Sequence, residues 1–132
     1  MFENKDIVFD QIAIVGVGLI GGSIGLVAKS KRIVNKVVGI GRSEEKLKKA
    51  FHLGAIDIIS TDFENGAANA DLVIICTPVC LIPETCIKIA KKLKKGGIIT
   101  DAGSTKSWIV NESEKKLPDG IEFIGGHPMA GS

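Results

Sequence analysis

Short continuous apolar runs alternate along this chain with longer stretches in which apolar positions recur every three or four residues. The runs at 12–15, 37–40, 72–76 and 98–101 are not interrupted by alternating polar residues, as strands covered on both faces require. Weaker runs at 56–59 and 122–124 complete the set of expected strands. Between them the helical period predicts helices at 19–29, 44–53, 83–93 and 106–116. Ser43 caps the second helix and Gly54 ends it, while Gly96 and Gly97 stop the third. In that third helix Cys86, Ile89, Ala90 and Leu93 form an apolar stripe, and Lys88, Lys91, Lys92, Lys94 and Lys95 are expected as its solvated side. The polar stretch TDFENGAANAD at 61–71 is short and glycine-interrupted, so no strong helix is expected there. Alternation of strand and helix predicts an α/β domain over residues 1–132: a Rossmann-type, doubly wound, mainly parallel sheet with helices on both faces.

Composition narrows the chemistry without adding to the fold. The 17 basic and 15 acidic residues leave a formal charge of +2, too balanced for a general nucleic-acid or membrane surface. The opening MFENKDIVFD lacks the basic-then-apolar order of a secretory signal, so a cytoplasmic location is expected. Cys76, Cys80 and Cys86 have neither CxxC spacing nor a histidine pair nearby, so plain thiols are expected and no metal site.

The segment IAIVGVGLIGGSIG carries G-x-G-x-x-G between a strand and a helix, the setting in which that pattern binds a dinucleotide. Gly16 permits the tight turn, Gly18 admits a pyrophosphate to the backbone, and Gly21 lets helix and strand pack closely. Leu19 and Ile20 start the helix, whose free N–H groups and positive dipole end favour phosphate. About twenty residues further on, an NAD site places a carboxylate for the ribose 2′-hydroxyl. Here that position is Gly41, followed by Arg42 and Ser43. A guanidinium without a carboxylate suits a 2′-phosphate, so NADP is expected in preference to NAD. Ser43 serves equally as a helix cap, and Arg42 equally as a stacking partner for adenine.

Ligands of doubly wound sheets lie beyond the carboxyl ends of the strands. Thr77 and Pro78 follow the fourth expected strand, and Asp101, Gly103 and Ser104 the fifth. Either group would line a cofactor site or simply build a turn and a helix cap. After the sixth comes the loop GGHPMAGS, whose His127 has a side chain suited to proton transfer near neutral pH, whereas His52 falls in the second helix as a structural residue.

The set GVGLIGGSIG, DAGSTK and GGHPMAGS, in this order and spacing, resembles the prephenate and arogenate dehydrogenases of tyrosine biosynthesis, and the likeness runs over nearly the whole chain. The resemblance implies an oxidative decarboxylation in which His127 takes the proton of the ring 4-hydroxyl as hydride passes to NADP or NAD. It implies that Ser104 hydrogen-bonds both His127 and that hydroxyl. The family also has a following helical domain that dimerises and supplies further substrate contacts. No such domain is found in residues 1–132, so the fragment is expected to bind nucleotide with little or no turnover, and the full-length enzyme to be a homodimer. A non-catalytic NAD(P)-sensing module of the same fold would not need Ser104 and His127 together. A methyltransferase would show G-x-G-x-G and an acidic end to the second strand, and neither is present.

Overall fold

The computed structural model describes residues 8–102 and 117–124. Its strands are β1 (Phe9–Val15), β2 (Val34–Ile40), β3 (Ile58–Ser60), β4 (Leu72–Ile75), β5 (Ile98–Asp101) and β6 (Glu122–Ile124). They form one sheet in the order β3-β2-β1-β4-β5-β6, and every neighbouring pair is parallel. The order reverses at β1, which lies between β2 and β4 in matched register: Val15 pairs with Ile40 on one side and Ile75 on the other. The two chain directions therefore part at the carboxyl end of β1, where a doubly wound sheet opens its crevice.

Helices α1 (Leu19–Ser30), α2 (Glu44–His52), α3 (Phe63–Ala67) and α4 (Ile82–Ala90) cover the sheet. Alternate residues of each strand point to opposite faces. Ile12, Ile14 and Val37 accordingly pack with Ala28, Leu47 and Ala50 on the α1/α2 side. Ala13, Val15, Val73, Ile75 and Ile99 pack with Ala67, Ile82, Cys86 and Ile89 on the α3/α4 side. This two-sided burial is why the strands read as unbroken apolar runs.

Among the described residues the expected elements are present, several with shifted ends. β1 and β2 begin three residues earlier than their apolar runs, since Phe9 and Val34 already pair across the sheet. β3 is displaced to Ile58–Ser60, where it pairs with Val38–Ile40. β4 stops at Ile75, and Cys76 belongs to the loop. The third expected helix, numbered α4 in the fold, runs Ile82–Ala90, beginning one residue earlier and ending three residues sooner than expected. Leu93 is still buried beyond its end, and the five lysines are exposed. The stretch at 61–71 does form a short helix, α3, because the Asp62 side chain accepts from Asn65 N–H at its start. The helix expected at 106–116 lies outside the described residues.

Two ion pairs tie the helical layer and its connections to the sheet. Lys29 at the end of α1 bonds Asp57, whose other oxygen accepts from Val37 N–H. Lys94 bonds Asp71, which also accepts from the N–H groups of Asp10 and Gln11. These contacts lower the Asp71 carboxyl pKa below its ordinary value, Lys94 having the largest effect.

Candidate dinucleotide site

At the crevice the chain turns at Gly16, whose φ of +88° favours glycine. A Cβ there would stand 3.1 Å from the Cys76 carbonyl group, so β1 and the β4 loop meet with no room between them. A Cβ on Gly21 would overlap the Gly16 carbonyl oxygen, whereas one on Gly18 would meet nothing within 4 Å. Gly21 is thus a packing residue, and Gly18 leaves open space.

The two helices that start beside this space differ at their N-termini. α2 has a complete cap: Ser43 accepts from Lys46 N–H at 3.3 Å, and Glu44 and Glu45 occupy its first turn. α1 has Gly18 at its cap position, with no side-chain cap bond and no acidic residue in the first turn. Its leading N–H groups and positive dipole end are left without a side-chain partner, the arrangement that binds phosphate.

A cleft of about 280 Å³ lies at this end, lined by Gly16, Val17, Gly18, Gly41, Arg42, Ser43, Lys46, Leu47, Cys76, Thr77 and Pro78. A second cavity of about 270 Å³ shares Gly16, Gly41, Arg42, Thr77 and Pro78 and extends to Phe63, Leu81 and Thr85. The Thr77 hydroxyl is buried and has no hydrogen-bond partner among the described residues. An open glycine backbone, an uncapped helix and an orphaned hydroxyl around one cleft fit a bound dinucleotide.

The cleft brings together Gly16, Gly18, Gly41, Arg42, Ser43, Thr77 and Pro78 of the residues expected from the sequence. Ser43 is both cap and cleft wall, so its two possible roles coexist. Leu19 is 88% exposed and lines a neighbouring apolar groove instead, and the Ile20 side chain is also exposed. Any contact these two make with the phosphates is therefore through their N–H groups. Asp101 is buried at the end of β5, where its charge and burial of the thiol push Cys76 up to about 11, burial contributing most. Gly103, Ser104 and His127 lie outside the described residues; the strands preceding them, β5 and β6, are parallel neighbours ending at the same edge of the sheet. His52 is exposed, with its ring edge-on to Phe51.

Sequence reasoning missed Lys46, Cys76 and the Phe63–Leu81–Thr85 wall. The first was hidden in a lysine-rich helix, Cys76 was read as the last residue of a buried strand, and Phe63 reaches Leu81 and Thr85 only through the sheet order. Among the described residues no three His, Cys, Asp or Glu side chains are placed to hold a metal. Nor is any described helix long and apolar enough to cross a membrane.

Residues 24–132 match the family model described as prephenate dehydrogenase, nucleotide-binding domain. The chain is 41% identical over 128 residues to the prephenate dehydrogenase of Bacillus subtilis, covering 93% of this chain and 33% of that protein. Its fold matches prephenate dehydrogenase from A. aeolicus, solved with hydroxyphenyl propionate and NAD+, at a TM-score of 0.82 and 32% identity, over 93% of this chain and 43% of that one. Synechocystis arogenate dehydrogenase matches at a TM-score of 0.81 and 31% identity, over 92% and 42% of the two chains. The chain thus spans about a third of the length of the curated relative it matches. The glycine cleft, the strand order and these matches agree: the chain belongs to the prephenate dehydrogenase nucleotide-binding domain family.

Proposed function

We propose that this chain is the dinucleotide-binding part of a prephenate or arogenate dehydrogenase that takes NADP in preference to NAD. The observation that carries the preference is Arg42 at the mouth of the cleft, beside Gly41, where an NAD site would place a carboxylate. The N–H groups at the start of α1, including those of Leu19 and Ile20, would hold the pyrophosphate beside Gly16 and Gly18, with Gly21 keeping the turn tight. Arg42 and Ser43 take the ribose 2′-phosphate. Thr77 and Pro78 face the cofactor from the β4 loop, and Asp101 at the end of β5, with Gly103 after it in the chain, belongs to the same cofactor site.

The bound nicotinamide supplies a hydride acceptor. His127 withdraws the proton from the substrate's ring hydroxyl, and Ser104 orients both groups by hydrogen bonds; the ring carboxylate departs as carbon dioxide as the ring becomes aromatic. A positioned general base of this kind contributes roughly 10²- to 10⁴-fold in rate. In this reading residues 1–132 form one domain of a longer, homodimeric cytoplasmic enzyme, and on their own bind nucleotide without appreciable turnover.

Parallel calorimetric titrations with NADP and NAD test the reading. Tighter NADP binding, with the preference abolished by Arg42→Ala, is the expected outcome. Tighter NAD binding would overturn the NADP preference and leave the dehydrogenase reading standing; binding of neither would overturn the dinucleotide site itself.

A further inference from the structure

A ribose 2′-phosphate carries nearly two negative charges at neutral pH, as phosphate monoesters do. Arg42 supplies one positive charge, and the first turn of α2 places Glu44 and Glu45 close by. One guanidinium against a dianion and two carboxylates leaves an unbalanced site. Lys46 lines the same cleft as Arg42 and Ser43.

Its placement follows from helix geometry. The Lys46 N–H is the group that Ser43 caps, which fixes Lys46 one turn into α2. Side chains on a helix tilt toward its N-terminus, the end at which Ser43 and Arg42 lie. Of the neighbouring lysines, Lys48 is 4.0 Å from Glu44 and Lys49 lines the adjoining groove bounded by Leu19 and Leu53, whereas Lys46 lines both that groove and the cleft that holds Arg42. Among the described residues neither Arg42 nor Lys46 has a carboxylate partner.

We infer that Lys46 is the second cation of a three-residue clamp, Arg42, Ser43 and Lys46, that reads a phosphate monoester on the adenosine ribose. This rests on the NADP preference proposed above and adds a second positive charge to match the dianion. Arg42 provides the planar fork, the Ser43 hydroxyl donates while its oxygen holds the cap, and Lys46 adds a mobile point charge.

The test titrates the 132-residue chain with NADP, NAD and adenosine 2′,5′-bisphosphate, comparing wild type, Lys46→Gln, Lys46→Arg and Arg42→Ala. Lys46→Gln is expected to weaken NADP and the bisphosphate about tenfold while leaving NAD within about twofold, the effect of losing one charged hydrogen bond. Lys46→Arg restores most of the loss, and nucleotide-free melting of all four proteins is unchanged. The bound 2′-phosphate, followed by ³¹P NMR, should titrate at lower pH in wild type than in Lys46→Gln, because a neighbouring cation favours the dianion. A wild type that prefers NADP and loses that preference with Arg42→Ala but not with Lys46→Gln would overturn the role of Lys46 alone. Equal weakening of NAD and NADP would overturn it as a 2′-phosphate contact. A wild type without NADP preference would overturn both inferences.

Discussion

Thr77→Val separates what the cleft costs the fold from what it gives the ligand. The Thr77 hydroxyl is buried at the carboxyl end of β4 without a partner among the described residues, and its methyl group sits 3.3 Å from where a Gly16 Cβ would be. Valine keeps the shape and the β-branch while replacing the hydroxyl with a methyl group. Burying an unpaired hydroxyl costs about 1–3 kcal/mol. At the lower end of that range the variant should gain about 1 kcal/mol without nucleotide. For a domain of this size that raises Tm by roughly 3–5 °C. With nucleotide bound the sign reverses: the hydroxyl gains a partner in wild type, and its loss weakens binding about fivefold. Thermal melts with and without NADP, paired with calorimetry, measure both effects. The variant should melt higher alone and show a smaller nucleotide-induced shift. A lower Tm without nucleotide would refute the orphaned hydroxyl. A higher Tm with unchanged affinity would refute its contact with the cofactor.

Other perturbations follow from contacts on the same sheet. Gly21→Ala places a methyl group against the Gly16 carbonyl oxygen and should cost more than about 2 kcal/mol and abolish nucleotide binding, while Gly22→Ala, facing open space, should be neutral or slightly stabilising in thermal melts. Asp71→Asn should cost about 0.5–1 kcal/mol at pH 7, since its Lys94 pair is partly exposed. The Asp71 pKa is lowered on folding, so its stabilisation is present above the ordinary value of 3.8 and disappears as pH falls through the folded value; acid denaturation curves of wild type and Asp71→Asn should converge in that range. Cys76, pushed up to about 11, should be about a thousandth thiolate at pH 8 and react with iodoacetamide far more slowly than the exposed Cys80, a difference that peptide mapping reads directly.

The sequence by itself determined what local physics controls. Unbroken apolar runs, helical stripes and capping residues specified the alternation of strand and helix, because run length and the period of 3.6 are written residue by residue. The glycine turn was legible for the same reason: Gly16, Gly18 and Gly21 lie within six residues, and each requirement is set by its immediate neighbours. Arg42 was legible as a substitution at a fixed distance from that turn. Strand ends were less so: Phe9 and Val34 enter the sheet because each finds the other as partner, which no local window contains.

Tertiary structure alone decided which lysine of a lysine-rich helix faces the cleft. Lys46, Lys48 and Lys49 are chemically identical, and only the placement of α2 beside the carboxyl end of β1 brings Lys46, and not the other two, to the cleft lined by Arg42, while Lys46 and Lys49 share the adjoining groove. It likewise decided that the Thr77 hydroxyl would be buried without a partner among the described residues, and that Cys76 would stay a thiol beside Asp101. Burial and charge environment are sums over residues distant in sequence. The chain order records the groups available to a site, while the packing of β1 against β2 and β4 determines which of them share it.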